Sequence, residues 1–300
     1  MSLKSIAFTI IEKEKILILL ELFDGRLAAY SDDKIINIYK RSTKIAFSIK
    51  SINSIIKWMI QTKDQKLICC SYEITILKLY KDHFETLQII KNCWTNKIFE
   101  IKEFDNNSNL VASQNNYIRI YEISKKSNLY KLKETIRFNE NVNNFIYLKN
   151  DDYALILDDY FKNIYINIYN LKLHNNKVNL YQIKAKDSGD MCILQNKYLV
   201  VSVYLNLILI DIEEEYKVIQ VIKTIFGCVN SFCYFKNYTF FSGDDVGDIT
   251  EWQIIDNKLK KIKDYNNCKE DVNSIIKYNN NSWIAAGSND GLIKFYETDF

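Results

Sequence analysis

Seven copies of one short phrase punctuate the chain: an alternating apolar run that closes on an aromatic residue or a stand-in for one. The copies read KIINIY ending at Tyr39, ITILKLY at Tyr80, NYIRIY at Tyr121, NIYINIY at Tyr169, LNLILID at Asp211, GDITEW at Trp252 and GLIKFY at Tyr296. Their spacings are 41, 41, 48, 42, 41 and 44 residues. A period of this size marks a repeat array whose unit buries its faces only against its neighbours. Seven such units account for nearly all 300 residues, so residues 1–300 read as a single domain.

The last unit divides at its turn residues into three short β runs, Val272 to Tyr278, Trp283 to Gly287 and Leu292 to Tyr296. Asn and Asp-Gly clusters separate them, which is the chemistry of hairpins and not of helical crossovers. Earlier units add a fourth, more polar run, such as Lys44 to Lys50, Phe84 to Ile90, Lys131 to Phe138 and Lys217 to Lys223. Seven units of four strands describe an all-β fold: a seven-bladed β-propeller of four-stranded antiparallel blades. The last unit lacks its fourth run, and the segment Ser5 to Ile11 has no other home. Its alternating Ile6, Phe8 and Ile10 are expected to complete the last blade and close the ring.

Composition narrows the class further. A chain 48% hydrophobic and 14% aromatic, with a net charge of only +3, has ample core and is neither disordered nor strongly nucleic-acid-seeking. Proline is absent and glycine is down to 7, so Asn and Asp must serve as the turn residues. The apolar stretch at Ser5 to Ile11 breaks at Glu12, too early for a signal peptide or a membrane span. That points to a cytoplasmic or nuclear protein. Seven cysteines without a CxxC pair read as reduced, space-filling thiols, and the adjacent Cys69 and Cys70 must point to opposite faces of their strand.

At AAGSNDGLIKFYE (Ala285 to Glu297), SGDDVGDITEW (Ser242 to Trp252) and AAYSDDKIINIYK (Ala28 to Lys40) the chain resembles the WD-repeat β-propeller family. The resemblance implies that a turn Asp after the second strand ties the turn to its blade. That role maps onto Asp33 and Asp290, with Asn115 a weaker stand-in. The closing aromatic maps onto Tyr39, Tyr80, Tyr121, Tyr169, Trp252 and Tyr296. No Trp-Asp dipeptide occurs, and the family's Gly-His pair is missing, since the two histidines, His83 and His174, fall near the start of outer runs. Blades two and five also lack the turn Asp, which puts their regular shape at risk and leaves it open.

No phosphate-binding loop, dinucleotide glycine motif, HExxH or nucleophile elbow is present. Two distant histidines leave most acid-base and metal schemes without their usual residue. The pairs Asp32/Asp33, Asp158/Asp159 and Asp244/Asp245 suit a glycosidase only superficially, because each sits at the same turn, where Asp is a turn residue. The expectation is therefore a non-enzyme with no cofactor and no metal.

In this family the turns between second and third strands share one rim with the loops entering each first strand. Those turns carry Asp32, Asp33, Glu73, Asp158, Asp159, Asp244, Asp245 and Asp290 against Lys34 and Lys162. One rim is thus expected to be acidic, while lysines of the outer runs, among them Lys258, Lys260, Lys261 and Lys263, protect exposed strand edges. Blade four inserts about three residues around Tyr160, Phe161 and Lys162 at this turn. Tyr160 and Phe161, with Trp94 in the loop entering blade three, are candidate interface anchors. The leading functional reading is a non-catalytic scaffold or adaptor subunit that binds a protein or peptide partner, a basic one fitting best, on the acidic rim. The alternative is a ribosome- or RNA-associated propeller using the lysine-rich outer strands.

Overall fold

A computed structural model describes residues 3–40, 44–50, 55–91, 100–104, 109–124, 126–149, 151–159, 163–170, 173, 175–184, 188–224, 227–266, 268–279 and 283–298. Short runs rich in Ile, Tyr, Val and Phe, broken every few residues by Asn, Asp or Gly, fold as strands throughout. The first, β1 (Leu3–Ile11), precedes blade one, which is β2 (Ile16–Glu21), β3 (Leu27–Ser31), β4 (Ile35–Tyr39) and β5 (Ile45–Lys50). Blade two is β6 (Trp58–Gln61), β7 (Lys66–Cys70), β8 (Glu73–Leu79) and β9 (Phe84–Lys91). Blade three is β10 (Glu100–Phe104), β11 (Asn109–Gln114), β12 (Tyr117–Ile123) and β13 (Tyr130–Arg137). Blade four is β14 (Asn141–Tyr147), β15 (Asp152–Asp158), β16 (Asn163–Asn170) and β17 (Asn175–Lys184). Blade five is β18 (Ser188–Leu194), β19 (Tyr198–Val203), β20 (Asn206–Asp211) and β21 (Lys217–Lys223). Blade six is β22 (Val229–Lys236), β23 (Thr239–Asp244), β24 (Asp248–Ile255) and β25 (Lys258–Asn266). Blade seven is β26 (Val272–Tyr278), β27 (Trp283–Ser288) and β28 (Leu292–Thr298), with β1 paired antiparallel to β28 as its fourth strand.

Each blade is an antiparallel meander, and the first strands contact one another around the ring, β2 meeting both β6 and β26. The seven blades expected from the repeat are all present. Blades two and five, whose regularity the missing Asp left open, are complete four-stranded sheets. Pairing along β7 and β8 runs without a break. In blade five, Tyr204 takes a left-handed conformation (φ 52°) and turns β19 into β20 without an Asp. Tight turns need such a backbone more than any one side chain.

No single core fills the ring. Seven apolar clusters lie one at each blade junction, because a sheet two faces wide must bury both. Cys69 faces the cluster shared with blade one, and Cys70 the cluster shared with blade three, as adjacent strand residues must.

Closure follows the same rules. Phe8 stacks on Phe295 at 4.1 Å and touches Trp283 at 5.1 Å, and with Ile10 it packs on the junction of blades seven and one. The simple alternation expected of Ile6, Phe8 and Ile10 is interrupted: Phe8 pairs with Phe295 but Ile6 with Tyr296, so Ala7 is an extra residue. Blade one has the same bulge at the same place, with Phe47 opposite Ile38, Ile45 opposite Tyr39 and Ala46 extra. Ile6-Ala7-Phe8 and Ile45-Ala46-Phe47 are the same tripeptide. β1 is thus an outer strand in sequence and in register, displaced to the beginning of the chain.

Around the inner strands, polar groups bind neighbouring blades together. Asn273 donates to the Ile16 carbonyl and Leu19 N–H to Ser274 Oγ, joining blades seven and one. Glu100 accepts from Phe145 N–H at 2.8 Å while Lys102 donates to the Phe145 carbonyl at 2.6 Å, joining blades three and four. Asp190 accepts from Asn144 and from Phe232 N–H, linking blade five to both neighbours. Among the described residues no helix is long and apolar enough to cross a membrane.

Candidate functional site

Strand direction fixes which loops share a rim. In every blade the first strand runs away from one rim and the second returns to it, so entry loops and second-to-third turns lie together. Asp32, Asp33, Glu73, Asp158, Asp159, Asp244, Asp245 and Asp290 all stand at such turns or the strand ends beside them. The entry loops add Glu12, Glu14, Glu140, Glu270 and Asp271, with Lys13, Lys15, Lys57 and Lys269 as the described cations. The opposite rim mixes Asp24, Asp64, Asp82, Asp151, Glu213, Glu214, Glu215 and Asp256 with Arg26, Lys40, Lys44, Lys63, Lys81, Lys126, Lys149 and Lys197. Carboxylates in the entry loops were missed by the sequence reading, which tallied only the second-to-third turns, although it assigned both sets of loops to one rim.

The rim carboxylates differ in what they are committed to. Asp33 Oδ1 accepts from Ser31 Oγ (2.7 Å) and Ile35 N–H (3.1 Å). Asp290 repeats the arrangement, accepting from Ser288 Oγ and from Leu292 N–H (3.1 Å). Both tie their own turn, and Lys294 stands 3.9 Å from Asp290. Asp244 accepts from Val246 and Asp248 N–H, and Asp245 from Cys228 N–H, the latter pulling an entry loop onto the rim. Asp158 accepts from Asn141 and Asn143, and Asp159 from Asn163 and from the Tyr165 hydroxyl. Asp32, Asp33 and Asp245 are exposed, whereas the other candidates are half-buried.

Burial raises the affinity of some of these groups for protons. It pushes the Asp244 carboxyl up to about 6 against its two N–H donors, with the nearby charges of Asp248 and Asp245 adding to the rise. Glu12 is raised for the same main reason, opposed by its hydrogen bond from Asn37. Asp244 also lines a cavity of about 240 Å³ between blades five and six, together with Asp248, Asp264, Lys223, Lys261 and Trp252. Lys261 pairs with Asp264 there, and Trp252 Nε1 donates to Ser242 Oγ at 2.9 Å.

Tyr160, Phe161 and Trp94, the aromatic anchors expected from sequence, lie outside the described residues, as do Lys162 and His174. His83 is an exposed turn residue whose ring stacks on Tyr80. Among the described residues no group of three His, Cys, Asp or Glu side chains is placed to hold a metal ion. The described cysteines are free thiols, and burial pushes those of Cys69 and Cys233 up to about 12, far from the thiolate a nucleophile needs. On the outer strands Lys50, Lys131, Lys133, Lys258, Lys260 and Lys263 are all exposed. The chain matches no protein-family model, and no curated protein matches it.

Proposed function

We propose that residues 1–300 form one divergent WD-repeat propeller that serves as a non-catalytic scaffold, binding a basic segment of a partner protein on its acidic rim. Propellers commonly act as interaction scaffolds, and the WD-repeat reading draws support from the matching turn ties at Asp33 and Asp290. One observation carries the binding reading: carboxylates from blades one, two, four, six and seven collect on one rim, while the opposite rim is mixed. Charge gathered in this way mainly steers encounter and selects partners of opposite sign. Tyr160, Phe161 and Trp94 supply the aromatic contacts that the sequence offers on the same rim.

The test uses a fluorescent peptide of alternating Lys and Gly residues and the full chain. Asp32→Asn, Glu14→Gln and Glu270→Gln together are expected to slow association by about tenfold at low salt and to leave the melting temperature alone. Lys260, Lys261 and Lys263 changed to Ala should leave the same peptide bound. Exposure of those lysines on β25 favours the second reading, binding to RNA phosphates. Salt-sensitive RNA binding that disappears with the lysine variant, beside peptide binding indifferent to the rim variant, would replace the first reading with the second.

A further inference from the structure

The two faces of the outer half of blade four are chemically unlike. Across β16 and β17 the pairs Ile164–Ile183, Ile166–Tyr181 and Ile168–Val178 pack toward blade five. The alternate pairs, Tyr165–Gln182, Asn167–Asn179 and Tyr169–Asn176, turn toward blade three. There the two tyrosines pack, with Phe138, on the edge of the apolar cluster shared with blade three, and the pairs as a whole leave space beside it. They line a cavity of about 580 Å³, bounded on its other side by Arg137, Phe138, Asn139 and Glu140 where β13 leaves its sheet. This volume lies in the range of specific binding sites.

The walls are held in place before anything enters. Tyr165 donates its hydroxyl proton to Asp159 at 2.8 Å, and Tyr169 packs edge-on to Phe138 with ring centres 4.9 Å apart. Asn176 Nδ2 donates to Asn179 Oδ1 at 2.5 Å. One atom is left over: Asn167 Oδ1 is buried, and no donor among the described residues reaches it. Buried carbonyl oxygens are nearly always satisfied, so an orphan on a side chain that lines a cavity calls for a donor from outside. Arg137 and Glu140 are the charged residues of the lining and carry opposite signs, so the lining itself has no net charge, unlike the acidic rim. Tyrosines interleaved with asparagines form the mixture that protein-recognition surfaces use, rigid amphipathic rings beside adaptable amides. From Tyr165 to Tyr169 the strand advances by about 13 Å, the length of roughly four extended residues.

We propose that the groove between blades three and four binds a short, extended, uncharged segment of a partner protein, one of whose backbone N–H groups donates to Asn167 Oδ1. The proposal shares with the rim reading only the premise of a binding module, and it uses a separate surface and a ligand of different charge.

The experiment pans a phage-displayed library of random twelve-residue peptides on the full chain and measures the enriched peptides by fluorescence anisotropy. Expected is a class of uncharged peptides that weakens by about tenfold with Asn167→Leu and with the exposed-site variant Gln182→Ala, and is unmoved by the Asp32→Asn, Glu14→Gln, Glu270→Gln rim variant. Asn167→Leu should melt no lower than the parent, because it removes an unsatisfied buried oxygen at nearly constant volume. A purely structural Asn167 would instead lower the melting temperature. Enrichment of only basic peptides lost with the rim variant, or of no peptide at all, would overturn the groove while leaving the rim reading standing or falling on its own test. Saturable binding of a neutral oligosaccharide, lost with Asn167→Leu, would also overturn it, because the groove would then take a sugar.

Discussion

The two junctions flanking blade four are built from one strand, yet one is sealed and the other is hollow. Ile164, Ile166 and Ile168 are 1%, 0% and 0% exposed against blade five, whereas Tyr165, Asn167 and Tyr169, one residue out of phase, are half-buried facing blade three. The contrast teaches that in a ring each sheet needs only enough apolar contact to hold its neighbours. The inner half of the hollow junction supplies it, with Val142, Phe145, Tyr153, Leu155 and Leu157 packed on Val111, Ile118 and Ile120. Glu100 and Lys102 pin the same inner edge. The outer half is then free to carry chemistry.

The widest challenge to this comparison removes its premise, a closed ring in which both junctions are kept under the same constraint. Deleting residues 1–11 uncovers the surface on which Phe8 and Ile10 pack, roughly 3 to 6 kcal/mol of burial, against the roughly 5 to 15 kcal/mol that holds a domain together. The truncated chain should melt far below the parent in calorimetry, and a melting temperature within a few degrees would mean that β1 is dispensable. Within blade four, Ile166→Ala on the sealed face should cost about 2 to 5 kcal/mol. Asn179→Ala, on the exposed side facing the groove, should stay within about 0.5 kcal/mol. Equal losses in urea titrations would erase the distinction between the junctions.

A third test addresses the inner edge of the hollow junction. Burial pushes the Glu100 carboxyl up to about 7, only partly offset by Lys102 and by the Phe145 N–H. Folded Glu100 therefore keeps a proton that the unfolded chain releases nearer pH 4.5. Its contribution is complete below that pH and is lost as pH rises toward 7, on the order of 3 kcal/mol. Asp190, also raised by desolvation, tilts the curve the same way. Glu100→Gln should flatten the decline between pH 4.5 and 7 without abolishing it, and an unchanged slope would place the titration elsewhere. A smaller effect than that of Glu100 is expected of Asn167→Leu, which should raise stability by about 1 kcal/mol. A loss of that size would show that the Asn167 side chain is already satisfied.

Much of the fold could be read directly, because a blade's third strand must end on a large buried group. Tyr39, Tyr121, Tyr296 and Trp252 do so, and their spacing counted the blades. Fourth strands were placed to within a residue or two where lysine alternates with apolar side chains, as at Lys217–Lys223. The regularity of blades two and five stayed open because their turns lack the Asp, and in blade five the left-handed Tyr204 makes the turn without it. The closing bulge was within reach, since the repeated Ile-Ala-Phe announces it. The hollow junction was not. NIYINIY alternates as any two-sided strand does, and whether its Tyr and Asn face protein or space depends on what blade three places opposite, which no local pattern encodes. The rim was found from the turn Asp residues, but their hydrogen bonds, which separate turn ties such as Asp33 from the exposed Asp32 beside it, depend on coordinates.

Synthesis order gives the displaced outer strand a further meaning. β1 is made before any other strand, and its partner β28 only some 290 residues later, an interval of roughly 15 to 60 s at 5–20 residues per second. Until β5 emerges, the nearest available edge is β4, whose own partner β5 shares Ile-Ala-Phe with β1 and makes the same bulge. A nascent chain stalled before β5 emerges should therefore pair β1 with β4. In the Phe8→Cys, Ile38→Cys double variant this pairing would be observable as a disulfide between the two introduced thiols, absent from the finished protein. Where that pairing forms, β5 must displace its twin before β1 is free to close the ring.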